Sequence, residues 1–272
     1  MLKIGRIEYA NCTPLFYMLR EHFSCSSYEF VAGVPAELNR KLLAGEIDVC
    51  PSSSIEYANH PDKFKILPQL SISSLGAVAS VLLFSKVPVE ELGGLKIRLS
   101  SESATSVNLL KILVSQRFGC SCTYEVEQLS TTTINDDSAA LLLIGDSALR
   151  TSFEKSSLFV YDLGDIWSLW TGLPFVFALW LCRKEVAETL EIRALALKLI
   201  EAKELVPQYL DQIVSQAMEI GWMGRDRLMA YWRDNISYNL DERAQAGLIL
   251  YYEKCFEIGL IKDVPTLNFA LL

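Results

Sequence analysis

The order of the predicted strands and helices constrains the fold of this 272-residue chain more than any other feature. Strand and helix signals alternate from Lys3 to Phe84, and a second alternating set runs from Lys96 to Tyr161. An apolar strand at Phe175–Leu181 is long enough to return to the first set. Every signal after Lys184 is helical. Alternation of this kind predicts an α/β fold with a helical C-terminal region.

Two α/β sets followed by a returning strand predict two lobes joined by two crossings. We expect residues 1–86 to begin lobe 1, residues 87–179 to form lobe 2, and residues 180–272 to return to lobe 1. The crossings are expected near Ser85–Glu91 and Phe175–Arg183. A ligand would bind in the cleft between the lobes, where strand ends meet helix N-termini. A single doubly wound domain with a helical extension predicts much the same pattern.

Local signals set the expected helix boundaries. Thr13 before Pro14 has the residue types of a helix start. Pro207 is expected to separate a helix at Val186–Leu205 from another at Pro207–Ile220, because proline disrupts a helix interior. Two further helix starts carry the spacing of a capping box, namely Ser53-x-x-Glu56 and Asn239-x-x-Glu242.

Composition excludes several classes of protein. The chain has 33 Asp and Glu against 25 Lys and Arg, a net charge of −8, and no basic cluster, so a nucleic-acid partner is not expected. The most apolar run, Leu173–Cys182, is about half the length of a membrane span, so no membrane partner is expected either. The first residues lack the pattern of a signal peptide, which predicts a cytoplasmic protein.

The soft metal ligands are too few and too scattered to predict a metal site. Seven cysteines occur without a CxxC pair, and the chain has two histidines, His22 and His60. Cys120 and Cys122 form a CxC, which is also expected of a strand with alternating faces. Known nucleotide, esterase and metalloprotease motifs are missing as well. The chemistry is therefore expected to come from other residue types.

Small polar residues mark three predicted turns from a strand into a helix. Free backbone N–H groups and the positive end of the helix dipole would meet there, which can bind an anion without Arg or Lys. Each segment alone is equally explained as a simple helix cap. Three of them on two lobes favour a small-anion site in the cleft. The segments are Tyr9–Pro14 (YANCTP), Pro51–Ser54 (PSSS) and Ser101–Ser106 (SESATS).

Longer motifs across the chain resemble the chorismate dehydratase family of the futalosine route to menaquinone. They are YANCTP, Gly45–Ala58 (GEIDVCPSSSIEYA), Leu67–Leu92 (LPQLSISSLGAVASVLLFSKVPVEEL), Ser100–Leu113 (SSESATSVNLLKIL), Leu142–Leu149 (LLIGDSAL) and Tyr161–Trp180 (YDLGDIWSLWTGLPFVFALW). Two departures concern the cleft wall: Ser74–Ser80 (SLGAVAS) replaces a stretch of the Asp-Gly-Pro-Val-Gly-Ser type, and Ser147 stands where the family often has a second Asp.

This resemblance implies a type 2 periplasmic-binding-protein-like fold that acts as an enzyme. The implied reaction is the conversion of chorismate to 3-[(1-carboxyvinyl)oxy]benzoate and water, a carbon–oxygen lyase reaction that requires no metal or organic cofactor. Asn11 and Ser80 are the expected catalytic residues. The residues expected to bind the substrate are Ser52, Ser53, Ser103, Ala104, Thr105, Ser106, Gly145, Asp146 and Asp162.

The general base is left open by the sequence. Asn11 is a neutral amide and can orient the substrate but not remove a proton. Asp146 and Asp162 follow predicted strands and could face the cleft, although an Asp in that position is also typical of a helix cap. The substrate's own enolpyruvyl carboxylate is the alternative base. In another class, the chain could be a solute-binding protein that holds a small carboxylate anion without converting it. Both a monomer and a homodimer are compatible with the aromatic C-terminal helices.

Overall fold

Two β-sheets organise the chain in the computed structural model, which describes residues 1–127, 134, 137–154 and 156–272. Most of the connection expected between Val126 and Ala139 lies outside these residues. The first sheet has six strands, in the spatial order Ser237–Leu240, Phe64–Ser74, Phe175–Arg183, Val49–Ser53, Leu2–Ile7 and Tyr28–Gly33. The second sheet has five, in the order Thr123–Glu127, Lys96–Ser100, Ala140–Ile144, Val81–Ser85 and Phe159–Asp162. The mixed α/β class and the two-lobed arrangement expected from the sequence are confirmed.

The elements follow one another in three groups. The first contains β1 (Leu2–Ile7), α1 (Thr13–His22), β2 (Tyr28–Gly33), α2 (Pro35–Ala44), β3 (Val49–Ser53), α3 (Ser54–Asn59) and β4 (Phe64–Ser74). The second contains β5 (Val81–Ser85), β6 (Lys96–Ser100), α4 (Ala104–Ile112), β7 (Thr123–Glu127), β8 (Ala140–Ile144), α5 (Gly145–Ser152), β9 (Phe159–Asp162) and α6 (Leu163–Thr171). The third contains β10 (Phe175–Arg183), α7 (Leu190–Gln216), α8 (Ile220–Met223), α9 (Arg225–Ala230), β11 (Ser237–Leu240) and α10 (Glu242–Glu257).

Strand pairing shifts both lobe boundaries from their expected positions. β5 pairs antiparallel with β8 and β9, so residues 81–86 belong with the second sheet and not with lobe 1. β10 pairs antiparallel with β3 and β4 over its whole length, so Phe175 is already in the first sheet. The chain therefore crosses between sheets at residues 75–80 and again at 172–174. Both crossings lie earlier in the sequence than we expected.

Apolar side chains cover both faces of the second sheet. Leu83, Leu142 and Ile144 belong to the main core, whereas Leu82 and Leu143 belong to a small cluster on the opposite face. Strands buried on both faces lose the alternation of apolar and polar residues and become continuous apolar runs. This accounts for the sequences VLLFS in β5 and ALLLI in β8.

Several local expectations were wrong because distant packing outweighed a local signal. Pro207 lies inside the single helix α7, where buried Val206 and Leu210 continue the apolar face across it. The cap of α1 is Cys12, and the Thr13 hydroxyl instead donates to Glu219. Neither expected capping box forms: Ser53 makes no side-chain cap, and α10 is capped by Asp241 in place of Asn239.

No helix within the described ranges combines the length and apolar character that crossing a bilayer requires.

Candidate functional site

A small cavity of about 50 Å³ lies between the two sheets, and we call it the cleft. Its polar wall contains Tyr9, Asn11, Ser53, Ser80, Ser103, Ser106 and Gly145, and its apolar wall includes Ile72, Val78 and Phe177. Six of the residues expected at the site therefore line it. Among the described lining residues, Tyr9 is the one titratable side chain. The described lining of this narrow cleft is rich in hydroxyl groups and has no charged side chain.

Asn11 lies between β1 and α1, where its backbone is fixed from both sides. Its carbonyl accepts a hydrogen bond from the Tyr238 hydroxyl at 2.8 Å, and the adjacent Ala10 carbonyl accepts one from the Trp232 indole at 2.7 Å. The Asn11 side-chain oxygen is buried and has no hydrogen-bond donor within the described part of the chain. Because a buried acceptor without a donor costs about 1–3 kcal/mol, this oxygen is suited to a ligand hydroxyl.

Ser80 belongs to the segment that crosses between the sheets. Its hydroxyl accepts a hydrogen bond from the buried Tyr231 hydroxyl at 3.0 Å and donates to the Val78 carbonyl over a longer distance of 3.3 Å. Ala79, just before it, has a positive φ of 60°, which places the segment in a conformation that residues other than glycine seldom adopt. The longer bond to Val78 is the one that a ligand oxygen could replace as the acceptor of the Ser80 proton.

We expect Tyr231→Phe to lower the free energy of unfolding by about 1 kcal/mol, because it removes one buried hydrogen bond. In a double-mutant cycle with Ser80→Ala, the second substitution should cost correspondingly less than it does alone. Urea unfolding of the four proteins measures both quantities. Fully additive effects would show that the two hydroxyls are not coupled.

The start of α4 provides backbone donors in the second lobe. The Ser103 hydroxyl caps the helix by accepting from the Ser106 N–H at 3.3 Å, and the two hydroxyls lie 3.1 Å apart. The first backbone-to-backbone hydrogen bond of the helix is the one that the Val107 N–H donates to the Ser103 carbonyl. The N–H groups of Ala104 and Thr105 precede this bond and point along the positive end of the helix dipole. A helix start with free N–H groups is what the sequence leads us to expect here, and anion binding at it stays a prediction.

Three of the expected contact residues lie away from the cavity wall. Ser52 points to the opposite face of β3 from Ser53 and its hydroxyl lies 3.1 Å from the Cys50 thiol. Thr105 is fully buried, and its hydroxyl accepts from the Ile55 N–H at 3.2 Å, which joins α4 to α3. Ala104 is solvent-exposed and contributes through its backbone alone.

The two expected acidic residues are both bound to backbone N–H groups. Asp162 caps α6 through Gly164 and Asp165, and it also accepts from Val78 and Ala79. Burial raises the pKa of Asp162, while these four donors oppose that shift. Its role in the structure is to fix the crossing segment next to Ser80.

Asp146 lies at the start of α5 and faces a second cavity, not the cleft. Its carboxylate accepts from the Ala10 N–H at 3.0 Å, which joins the two lobes beside Asn11. Burial raises the pKa of Asp146, and the Ala10 N–H opposes the shift. Within the described ranges, no group of three or more His, Cys, Asp or Glu is arranged to hold a metal ion.

Tyr9 is a lining residue that sequence reasoning missed, although it belongs to the YANCTP segment. Its ring packs against Gly145, where an added Cβ would lie 2.9 Å from the nearest ring carbon. Burial, followed by the nearby Glu102 carboxylate, raises the pKa of Tyr9 well above its usual value. Tyr9 therefore remains a neutral O–H donor in the cleft.

Comparisons with known proteins agree with this geometry. A solved structure from Archaeoglobus fulgidus superimposes with a TM-score of 0.77 at 22% identity, covering 96% of this chain and 98% of that one. The periplasmic aliphatic sulphonate binding protein of Escherichia coli gives a TM-score of 0.65 at 16% identity, covering 100% and 94%. These likenesses show a periplasmic-binding-protein-like fold.

Sequence relatives identify the family. A chorismate dehydratase of Thermus thermophilus is 33% identical over 270 residues, which cover 92% of this chain and 93% of the relative. Residues 2–257 match the profile of a family described as menaquinone biosynthesis. With both α/β lobes and the whole cleft inside the matched range, the chain belongs to the menaquinone biosynthesis family.

Proposed function

We propose that this chain is a chorismate dehydratase, which converts chorismate to 3-[(1-carboxyvinyl)oxy]benzoate and water in menaquinone biosynthesis. The family and the Thermus relative support this activity. The observation that carries the proposal at the level of residues is a cleft that pairs a helix N-terminus with an Asn11 amide oxygen for which the described residues provide no donor. These are the groups needed for a substrate with both a hydroxyl leaving group and carboxylates.

The reaction removes the proton at C3 and the hydroxyl at C4, and formation of the aromatic ring drives it. Charge left at C3 spreads through the C1=C2 bond into the ring carboxylate. Placed at the start of α4, this carboxylate would meet the N–H groups of Ala104 and Thr105 and the hydroxyls of Ser103 and Ser106. Preorganised donors stabilise developing charge without rearranging during the reaction.

The leaving hydroxyl belongs on the opposite side of the cleft. The buried Asn11 oxygen accepts a hydrogen bond from the C4 hydroxyl and so holds the C4–O bond at a fixed angle. The Ser80 hydroxyl, which Tyr231 supports, donates to the departing oxygen. Both groups are neutral, so neither repels a dianionic substrate. Their contribution is orientation and hydrogen bonding to the leaving group.

The substrate's enolpyruvyl carboxylate is the base that this cleft favours. The described lining contains no Asp, Glu, His or Lys side chain, and the carboxylates of Asp146 and Asp162 are occupied by backbone N–H groups. This carboxylate is bonded to the vinyl carbon that the ether oxygen joins to C3, so the covalent geometry of the substrate keeps it close to the C3 proton. The protein then has to position the substrate and need not supply the base.

If this assignment is correct, Asp146→Asn and Asp162→Asn should each retain more than a tenth of the wild-type kcat. Asp162→Asn should lower the free energy of unfolding by about 1–3 kcal/mol, since an amide cannot accept all the N–H groups that the carboxylate binds. Initial rates with chorismate and urea unfolding measure the two effects. Loss of turnover in a folded Asp146→Asn or Asp162→Asn protein would assign the base to that residue.

Incubating the purified protein with chorismate and following the products by mass spectrometry tests the function itself. A product lighter than chorismate by one water is expected. If the protein binds chorismate without converting it, the result would favour the alternative, a solute-binding protein for a small carboxylate anion. The same fold also supports that function. We include the cytoplasm in the proposal because all seven cysteines are free thiols, as is usual in reducing compartments.

A further inference from the structure

A second cavity of the molecule is larger than the cleft. It has a volume of about 480 Å³, within the range of small-molecule sites. Both lobes contribute to it, because Arg6 and Arg20 come from β1 and α1 whereas Asp146 and Arg150 come from α5. We call it the arginine cavity. It meets the cleft at Ile7, which lines both.

The carboxylates of the arginine cavity already have partners. Glu8 pairs with Arg6 at 2.5 Å, Glu219 accepts from the Thr13 hydroxyl at 2.5 Å, and Asp146 accepts from the Ala10 N–H. Each of these carboxylates therefore has one protein donor, and all three remain part of the cavity lining.

The arginines, in contrast, have donors to spare. Neither Arg20 nor Arg150 forms an ion pair with a carboxylate in the part of the chain that the structure describes. The Nε atom of Arg6 is buried and finds no hydrogen-bond acceptor among the described residues. Arg150 stacks on the Trp222 ring at 3.9 Å, which holds its planar guanidinium in place while leaving its edges free.

Apolar groups complete the wall next to these donors. Phe16, Tyr17 and Trp222 line the same cavity. We propose that the arginine cavity is a second binding site, separate from the cleft, for a carboxylate on a single ring, with Arg20 and Arg150 holding the carboxylate and the aromatic residues covering the ring. The ligand's identity rests on the proposed function: the substrate and the product of that reaction both belong to this chemical class.

Such a site has a physical purpose in an acidic protein. The chain carries a net charge of −8 and would repel a dianion at long range. The cavity lining holds three arginines and three carboxylates, so it has no net charge, and its guanidinium groups offer the ligand donors at the junction of the two lobes, next to the cleft. Because Arg150 and Arg20 come from different lobes, a carboxylate held between them also draws the lobes together.

Calorimetric titration of the wild-type protein with 3-[(1-carboxyvinyl)oxy]benzoate, and separately with benzoate, tests the second site. We expect two molecules of the product to bind per chain. The double variant Arg20→Gln with Arg150→Gln should weaken one of the two sites at least tenfold and keep kcat at saturating chorismate. Arg193→Gln, which removes the same charge from an exposed position on α7, should retain both sites.

A single product site in the wild-type protein, or two sites that the double variant leaves unchanged, overturns the proposal. The benzoate titration keeps this test independent of catalysis, because weaker benzoate binding in the double variant reports on the arginine cavity even in a chain that does not convert chorismate. Failure of the proposed function would instead appear as absence of the dehydrated product in the mass assay.

Discussion

Asn11→Ala is expected to lower kcat about 100-fold or more while changing KM much less. The Asn11 amide oxygen is buried in the cleft and has no donor among the residues that the structure describes, so its interaction with the C4 hydroxyl is made when the substrate is bound and matters most as the hydroxyl departs. An interaction that strengthens in the transition state affects kcat and not KM. Losing one preorganised hydrogen-bonding group at a reacting oxygen costs about 3–4 kcal/mol in comparable sites. Steady-state rates with chorismate measure the split.

Two further substitutions sharpen this result. Asn11→Asp should also be inactive, because it introduces a negative charge beside a dianionic substrate in a cleft that has no compensating cation among its described lining residues. Asn59→Ala is the matched control, since Asn59 is exposed at the end of α3 and should leave both kcat and KM unchanged. An Asn11→Ala enzyme that differs from wild type mainly in KM would assign Asn11 to substrate binding alone.

The fold was largely predictable because its signals are local. The cap of α4 is a serine with its partner three residues away, and the apolar runs of β8 and β10 carry enough hydrophobic residues to identify buried strands. Lobe membership was less predictable. β5 belongs to the second sheet because it pairs with Ala140–Ile144, about sixty residues later, and no short-range pattern encodes that register.

The site was predictable to the extent that its residues follow strand ends. Asn11, Ser80 and Ser103 come from different turns, and the topology brings them to one cavity. Tyr231 could not have been identified from the sequence, because it lies 151 residues after Ser80. It belongs to the C-terminal helices, whose aromatic residues are otherwise explained by core packing. Asp162 was ambiguous for a physical reason: an aspartate after a strand fits a base and a helix cap equally, and its four N–H partners make it a cap here.

Closure of the cleft depends on a glycine in α5. Gly145 has a positive φ of 60°, and an added Cβ would lie 2.9 Å from the Tyr9 ring of the other lobe. Its N–H also donates to the Ser80 carbonyl at 2.7 Å. Gly119 has nearly the same backbone conformation, with a φ of 66°, but an added Cβ there meets no atom within 4 Å. Comparing alanine at Gly119 with alanine at Gly145 therefore distinguishes the effect of backbone strain from the effect of a methyl group added between the lobes.

We expect Gly145→Ala to lower kcat/KM at least tenfold, because the methyl group displaces Tyr9 and keeps the lobes apart at the point where Asn11 and Ser80 must face the substrate. Both Gly145→Ala and Gly119→Ala should lose about 1 kcal/mol of unfolding free energy, the usual cost of alanine at a positive φ. Gly119→Ala should nevertheless keep wild-type kinetics. Initial rates with chorismate, together with urea unfolding of both variants, make the comparison. Equal activity in the two variants would mean that close contact between Gly145 and Tyr9 is not required for catalysis. The site would then still work when the lobes lie further apart.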